Sequence, residues 1–231
     1  MHRKIYFIKR LLPIVNASIS AILLLPFLTL SPVDTPISAQ SAASVAYPSP
    51  ESPQMSGRHT DERLSAGKLL VASERVKDKY FARAIVLLIN YSDKGAVGLI
   101  INRPTETRLH ALMPTVKGLQ KATDKLYFGG PVSMSQITMV LQSKSKPDES
   151  EKVFDDVYIS GSLTLLEQMS DNRTPGQRFR LYAGYAGWAP GQLEAEIARN
   201  DWKILKGDVD ILFNKSPEEI WQRLVPQNMT I

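Results

Sequence analysis

Between residues 67 and 101 the chain carries three apolar runs with almost no polar interruption. Leu69-Leu70-Val71-Ala72, Ala84–Asn90 and Ala96–Ile101 are short, and none shows the alternation of a strand wetted on one face. Such runs, bounded by Gly, Pro and Asn, predict central strands covered on both sides. Tyr91–Gly95 ends in Gly and predicts a hairpin between the second and third runs. Asn102-Arg103-Pro104 closes the third, because Pro lacks an amide donor and restricts the residue before it.

Farther along, the pattern predicts a short helix over 109–113 and strands over 126–128, 137–141 and 153–160, with a charged loop over 144–152. Ser162 is placed to cap a helix reaching Met169, and Pro175-Gly176 turns the chain. From Arg178 to Tyr182 the residues alternate, Phe179 and Leu181 against Arg178, Arg180 and Tyr182, which predicts a half-exposed strand. The run from Gly184 to Glu196 reads as a Gly-rich corner entering an amphipathic helix from Pro190 to Asn200, with Leu193 and Ile197 inward. Ser216-Pro217-Glu218-Glu219 has the form of a capping box and opens a last helix carrying Ile220, Trp221 and Leu224. Strands and helices interspersed in this order predict the α+β class with a mixed, mainly antiparallel sheet.

The first third of the chain is different. Arg3, Lys4, Lys9 and Arg10 precede an uncharged stretch from Leu11 to Val33, and small residues follow from Ser38 to Ala43. Residues 1–39 therefore read as a signal-like or membrane-anchor segment, long enough to contact a membrane through 11–33. Residues 40–64, with Pro48, Pro50 and Pro53, form a linker too poor in apolar residues to bury a core. The folded domain is expected over 65–231. Translation from Met1 gives an exported or membrane-tethered protein, the favoured expectation, whereas a start at Met55 gives a cytoplasmic one.

Composition narrows the chemistry. No Cys is present among the 231 residues, which removes disulfides, thiolate metal sites and a Cys nucleophile. Of 28 basic and 23 acidic residues, Arg3, Lys4, Lys9, Arg10 and Asp34 lie in the first segment, which leaves 24 against 22. That balance does not support nucleic-acid binding. GxGxxG, Walker A, GxSxG and HExxH motifs do not occur. Of three His only His110 lies in the domain, and Asp155-Asp156 on a strand would face opposite ways, so neither a metal nor a cofactor is expected.

Three segments remain as candidate sites. Asn102 and Arg103 end a strand and offer a bidentate fork for an anion, or else a turn in which Asn102 satisfies its own backbone and Arg103 is solvated. Gly129 and Gly130 either leave amides for an anion or simply stop a strand at φ > 0. In the third, Tyr185 and Trp188 could wall a pocket near the amide of Gly191, with Gln192 and Glu196 sharing a helix face. Its alternative is a strand-to-helix corner with Trp188 in the core.

The ordered set Gly67–Ala72, Gly95–Pro104, Gly129–Pro131, Gly184–Glu196 and Trp202 resembles the bacterial AlgH/YqgE family over about Gly67 to Val225. Glu74 and Lys79 stand where that family usually has Pro and Asp-Pro, and Gln142 stands where it often has His. The resemblance implies an α+β fold whose bent sheet closes into a pseudo-barrel flanked by helices. It implies no reaction, and the family's regulator label is a genetic association. Residues and resemblance together predict a non-catalytic domain that binds a small anionic ligand or a protein partner. The alternatives are a transcriptional regulator, acting directly or through a partner, and a hydrolase with Glu196 or His110 as base.

Overall fold

The computed structural model describes residues 6–7, 63–120, 122–171, 177–213 and 216–225. The signal-like segment, apart from Tyr6-Phe7, and the linker up to residue 62 lie outside the described residues. Eleven strands and five α-helices are described: β1 (Tyr6–Phe7), β2 (Lys68–Ala72), β3 (Ile85–Ser92), β4 (Gly95–Ile100), β5 (Pro104–Arg108), α1 (Leu109–Leu112), β6 (Lys125–Phe128), β7 (Val132–Gln142), β8 (Glu151–Phe154), β9 (Val157–Ser160), α2 (Leu163–Asp171), β10 (Arg178–Trp188), α3 (Gln192–Ala198), β11 (Trp202–Lys206), α4 (Val209–Phe213) and α5 (Pro217–Leu224). The sheet runs β11-β2-β3-β4-β10-β7-β9-β8, with β5 and β6 joined to β10 through β6 and β1 joined to β7. Every neighbour along the main path is antiparallel. β6 on β10 and β1 on β7 are parallel.

The α+β class and mainly antiparallel sheet are as expected, and the sheet curls into a half-barrel. Its corner is β10. The first half of this strand pairs with β7, its middle with β6, and its last residues with β4. The register shifts between Ala183 and Tyr185, around Gly184 at φ 70°. A bulge at that place bends the strand and lets one chain segment serve both halves of the curl.

The early apolar runs do form β2, β3 and β4, and both faces are covered. Leu69, Val71, Ile85, Leu87 and Leu99 pack into one core cluster with Leu212, Ile220 and Trp221. Their alternates Leu70, Ala72, Val86, Leu88 and Ile100 pack into another with Trp188, Leu193 and Trp202. A third cluster gathers β7, β9 and β10 residues with α1 and α2. Ser162 caps α2 through its Oγ, which accepts from the Leu165 amide at 3.2 Å.

Several expected elements change. The strand expected over 153–160 is a hairpin, β8 and β9, with Asp155 at φ 40° and Asp156 in the turn. Gly184–Trp188 is the second half of an 11-residue strand rather than a turn, because antiparallel pairing with β4 supplies its backbone partners. The helix expected from Pro190 to Asn200 shortens to α3, with Gly191 at its N-cap. At Ser216 the N-cap holds with Pro217 in the first turn, but without a side-chain capping bond. Tyr182 is fully buried instead of half-exposed, since α4 and α5 cover the face that alternation left open. β5, β11 and α4 have no strong period of their own and become regular through their neighbours.

Candidate functional site

The candidate segments converge on the loop from Ser73 to Ala84. Asn102 stands between two backbone groups there: its Oδ1 accepts from the Ile85 amide at 2.9 Å, and its Nδ2 donates to the Arg83 carbonyl at 3.0 Å. The Arg103 guanidinium donates to the Ala82 carbonyl. Burial, and then the charge of neighbouring Arg83, lowers the Arg103 pKa from the ordinary guanidinium value. The turn expected to satisfy Asn102 through its own backbone is replaced by bonds to the backbone of Arg83 and Ile85, distant in sequence, and Arg103 is not simply solvated. Arg103 spends one donor on that loop and sits half-buried beside a second guanidinium.

Gly129 and Gly130 meet the β10 corner. The Gly129 amide donates to the Ala183 carbonyl, and its carbonyl accepts from Ile100, both at 2.8 Å. A Cβ on Gly130 would lie 2.1 Å from the Tyr185 carbonyl carbon, and one on Gly184 would lie 2.3 Å from the Gly130 carbonyl oxygen. The two glycine segments thus cross backbone against backbone, which leaves no room for a ligand between them. Phe128, just before the crossing, stacks on Tyr80 of the loop at 5.8 Å.

The third segment forms a closed polar cluster. Glu196 Oε2 accepts from both indoles, Trp188 Nε1 at 2.9 Å and Trp202 Nε1 at 2.8 Å. Its Oε1 accepts from Gln192 Nε2 at 3.0 Å, and Gln192 Oε1 accepts from the Ala189 amide at 3.1 Å. The two indoles meet edge-on at 6.0 Å and hold Phe81 of the loop, at 6.2 and 6.0 Å. A carboxylate between two buried indole donors is a structural clamp, since either N–H left unpaired would cost about 1–3 kcal/mol. Tyr185 is partly buried against the core, and Gly191 is exposed. His110 Nδ1 lies 3.4 Å from the Ala122 carbonyl. Neither Glu196 nor His110 has a nucleophile among its described partners.

What these segments hold is a loop with two notable residues. Arg83 sits at φ 59°, a left-handed conformation that an L residue adopts only under constraint. Asn102 supplies that constraint from both sides. The Arg83 guanidinium stacks over the Trp221 ring at 5.5 Å, and Trp221 Nε1 is anchored on the Ala72 carbonyl at 2.7 Å. Beside them is a cavity of about 430 Å³ lined by Ser73, Glu74, Val76, Lys77, Ala82, Arg83 and Trp221. The Ser73 hydroxyl is buried and has no hydrogen-bond partner among the described residues. A buried orphan hydroxyl in a wall carrying Lys77 and Arg83 is placed to donate to an anion.

Ser73, Arg83 and Trp221 were not among the sequence candidates. Trp221 lies 149 positions from the Ala72 carbonyl that anchors it, and so wide a separation hides the cluster from any local pattern. Among the described residues no cluster of His, Asp and Glu is arranged to hold a metal ion. No described helix is long and apolar enough to cross a membrane.

The chain belongs to the AlgH-like family, DUF179, which it matches over residues 69–230. A UPF0301 protein of Idiomarina loihiensis is 32% identical over 164 residues, spanning 69% of this chain and 88% of that one. One from Methylococcus capsulatus is 34% identical over 176 residues, spanning 74% and 93%. Among solved structures, the AlgH protein of Pseudomonas aeruginosa is similar at a TM-score of 0.56 and 29% identity, covering 68% of this chain and 85% of that one. A Corynebacterium diphtheriae protein shares the fold at a TM-score of 0.62 and 22% identity, covering 72% and 90%. The relatives carry the label of an uncharacterised family, so the chemistry must come from the site itself.

Proposed function

We propose that this protein is a non-catalytic domain that binds a small anion in the Ser73–Arg83 cavity. The observation that carries the proposal is Arg83, held in a left-handed backbone by Asn102 over Trp221, at the wall of a cavity with an unpaired buried hydroxyl. In this picture Arg83 and Lys77 supply charge and Ser73 a donor. Arg103 acts from behind, its charge raising the local potential while its bond to Ala82 holds the loop. The anion-binding role expected of Arg103 is thereby shared with its neighbour in space. The amides of Gly129 and the cluster at Trp188, Gln192 and Glu196 serve as scaffold.

An NMR titration of the full chain with inorganic phosphate and with malonate tests this. Saturable shifts at Ser73, Lys77 and Arg83 are expected, with affinity reduced at least tenfold in Arg83→Ala, or about 1.4 kcal/mol. Equal affinity in wild type and Arg83→Ala would sink the proposal. Regulation through a partner and hydrolysis rest on no contact found among the described residues.

A further inference from the structure

The outer edge of β7 is left open where β9 departs from it. On one side β7 pairs with β10, from Ile137 against Ala183 to Gln142 against Arg178. On its other side β9 covers only Met139–Gln142. After Ser160 the chain turns into α2, capped by Ser162, so β9 does not continue along the first half of β7. β1 enters this vacated lane, setting Tyr6 against Gln136 and Phe7 against Ile137 in a parallel pairing. Because Ala183 of β10 already holds one side of Ile137, β1 lies on the side that β9 leaves.

This edge lacks the devices that usually keep open strands from pairing. Natural edge strands carry charges or Pro, or lie under a covering element. β7 has neither a charged residue nor a Pro along its length, and residues 132–135 are exposed. Among the described residues the exposed large apolar side chains are Val132, Met134 and Leu163, at 38%, 54% and 42% of full exposure. The first two belong to this stretch of β7, and Leu163 opens α2 just after β9 leaves the lane. An uncharged, partly apolar edge is the template that strand addition uses, with main-chain bonds supplying the affinity. Tyr and Phe are residue types that favour the extended backbone an added strand needs.

We propose that the open edge of β7 is a strand-docking site whose occupant is the chain's own N-terminus at Tyr6-Phe7. Docked there, the N-terminus denies the edge to a second copy of the chain. The docking also bears on the uncharged stretch from Leu11 to Val33. A membrane span through that stretch would put Tyr6 and Gln136 on opposite sides of the bilayer. Docking and spanning are therefore mutually exclusive, and the docked strand belongs to the chain before any export or insertion. The proposal is independent of the Ser73–Arg83 cavity, which shares no residue with β1 or β7.

The chain contains no Cys, so disulfide trapping in the full-length protein tests the docking against a clean background. Paired strands lie about 4.8 Å apart, within disulfide reach, whereas a shift of two residues along β7 takes the Cα atoms to about 8 Å, beyond it. Under mild oxidation Tyr6→Cys with Gln136→Cys should form an intrachain disulfide, identified by mass spectrometry of the unreduced digest. It should form about tenfold faster, or more, than the bond between Tyr6→Cys and Met134→Cys. Adding Phe7→Pro fixes φ near about −65° and removes an N–H, and should slow the first pair about fivefold without changing the Tm of the domain. Interchain disulfides in place of the intrachain bond would assign the edge to a second copy and overturn docking by the chain's own N-terminus. Equal rates for the two pairs, no disulfide in a chain that melts like wild type, or an unchanged rate with Phe7→Pro would each overturn it as well.

Discussion

Tyr182 shows how one side chain can be placed against the expectation of its own strand. Alternation with Arg178 and Arg180 put it on an open face, yet it is fully buried, 5.4 Å from the Tyr127 ring. Burial raises its pKa well above the ordinary 10.0, and the neighbouring Arg180 charge pulls it back only in part. The sign of the pH effect follows. The folded protein keeps this proton at pH values where the unfolded chain loses it, so the unfolded state binds fewer protons above about pH 10. Stability is therefore intact below that pH and falls as the medium becomes more alkaline. Tyr182→Phe should lie close to wild type at pH 7, since the hydroxyl it removes makes no hydrogen bond of good geometry among the described residues and has only Arg180 near it. Above pH 10 its loss of stability should be shallower by up to about 1.4 kcal/mol per pH unit. Denaturant melts at pH 7 and pH 11 read both outcomes, and parallel curves at the two pH values would refute the burial account.

Strands and loops depend on one another most clearly at the β10 corner. Gly130 and Gly184 cross there with backbone atoms closer than any Cβ permits, whereas Gly191 has φ 75° but nothing within 4 Å of its Cβ position. The cost of substitution should separate accordingly. Gly191→Ala carries only the left-handed backbone penalty, about 1 kcal/mol. Gly130→Ala must also move the Tyr185 backbone, and should cost more than about 3 kcal/mol, a fall in Tm of roughly 6–12 °C or a failure to fold. Differential scanning calorimetry of the two variants distinguishes them, and similar melting temperatures would mean that the crossing is not tight. The same crossing supports the Ser73–Ala84 loop, because Phe128 and Trp188 flank it and both pack on loop aromatics. Motifs that read as separate candidate sites thus pack on one loop and position its cationic residues.

At the scale of the molecule, the domain and residues 1–39 raise different questions. The family match begins at residue 69, so residues 1–39 are judged on their own composition. Translation from Met1 is expected to yield an exported or tethered protein. N-terminal sequencing of the protein from its native host should then find a start near Gln40 or an intact membrane-bound chain. A soluble chain beginning at Met55 would overturn export and return the protein to the cytoplasm.

Local pattern by itself determined the three buried strands at the front of the domain, the hairpin between β3 and β4, the capped start of α2 and the α+β class. Each follows from apolar period, turn residues and caps within a few positions of one another. The ordered glycine and tryptophan motifs also marked the family. Only the tertiary structure decided that Gly184–Trp188 is strand, that 153–160 is a hairpin, and that Tyr182 is buried, because those outcomes depend on partners far away in sequence. The same holds for the sites. Asn102 was expected to satisfy its own backbone, whereas it bonds that of Arg83 and Ile85, and nothing near Arg83 in the chain announces its left-handed backbone or its place over Trp221. Charge, an orphan hydroxyl and a cavity come together only when separate segments fold against each other, and no local period encodes that meeting.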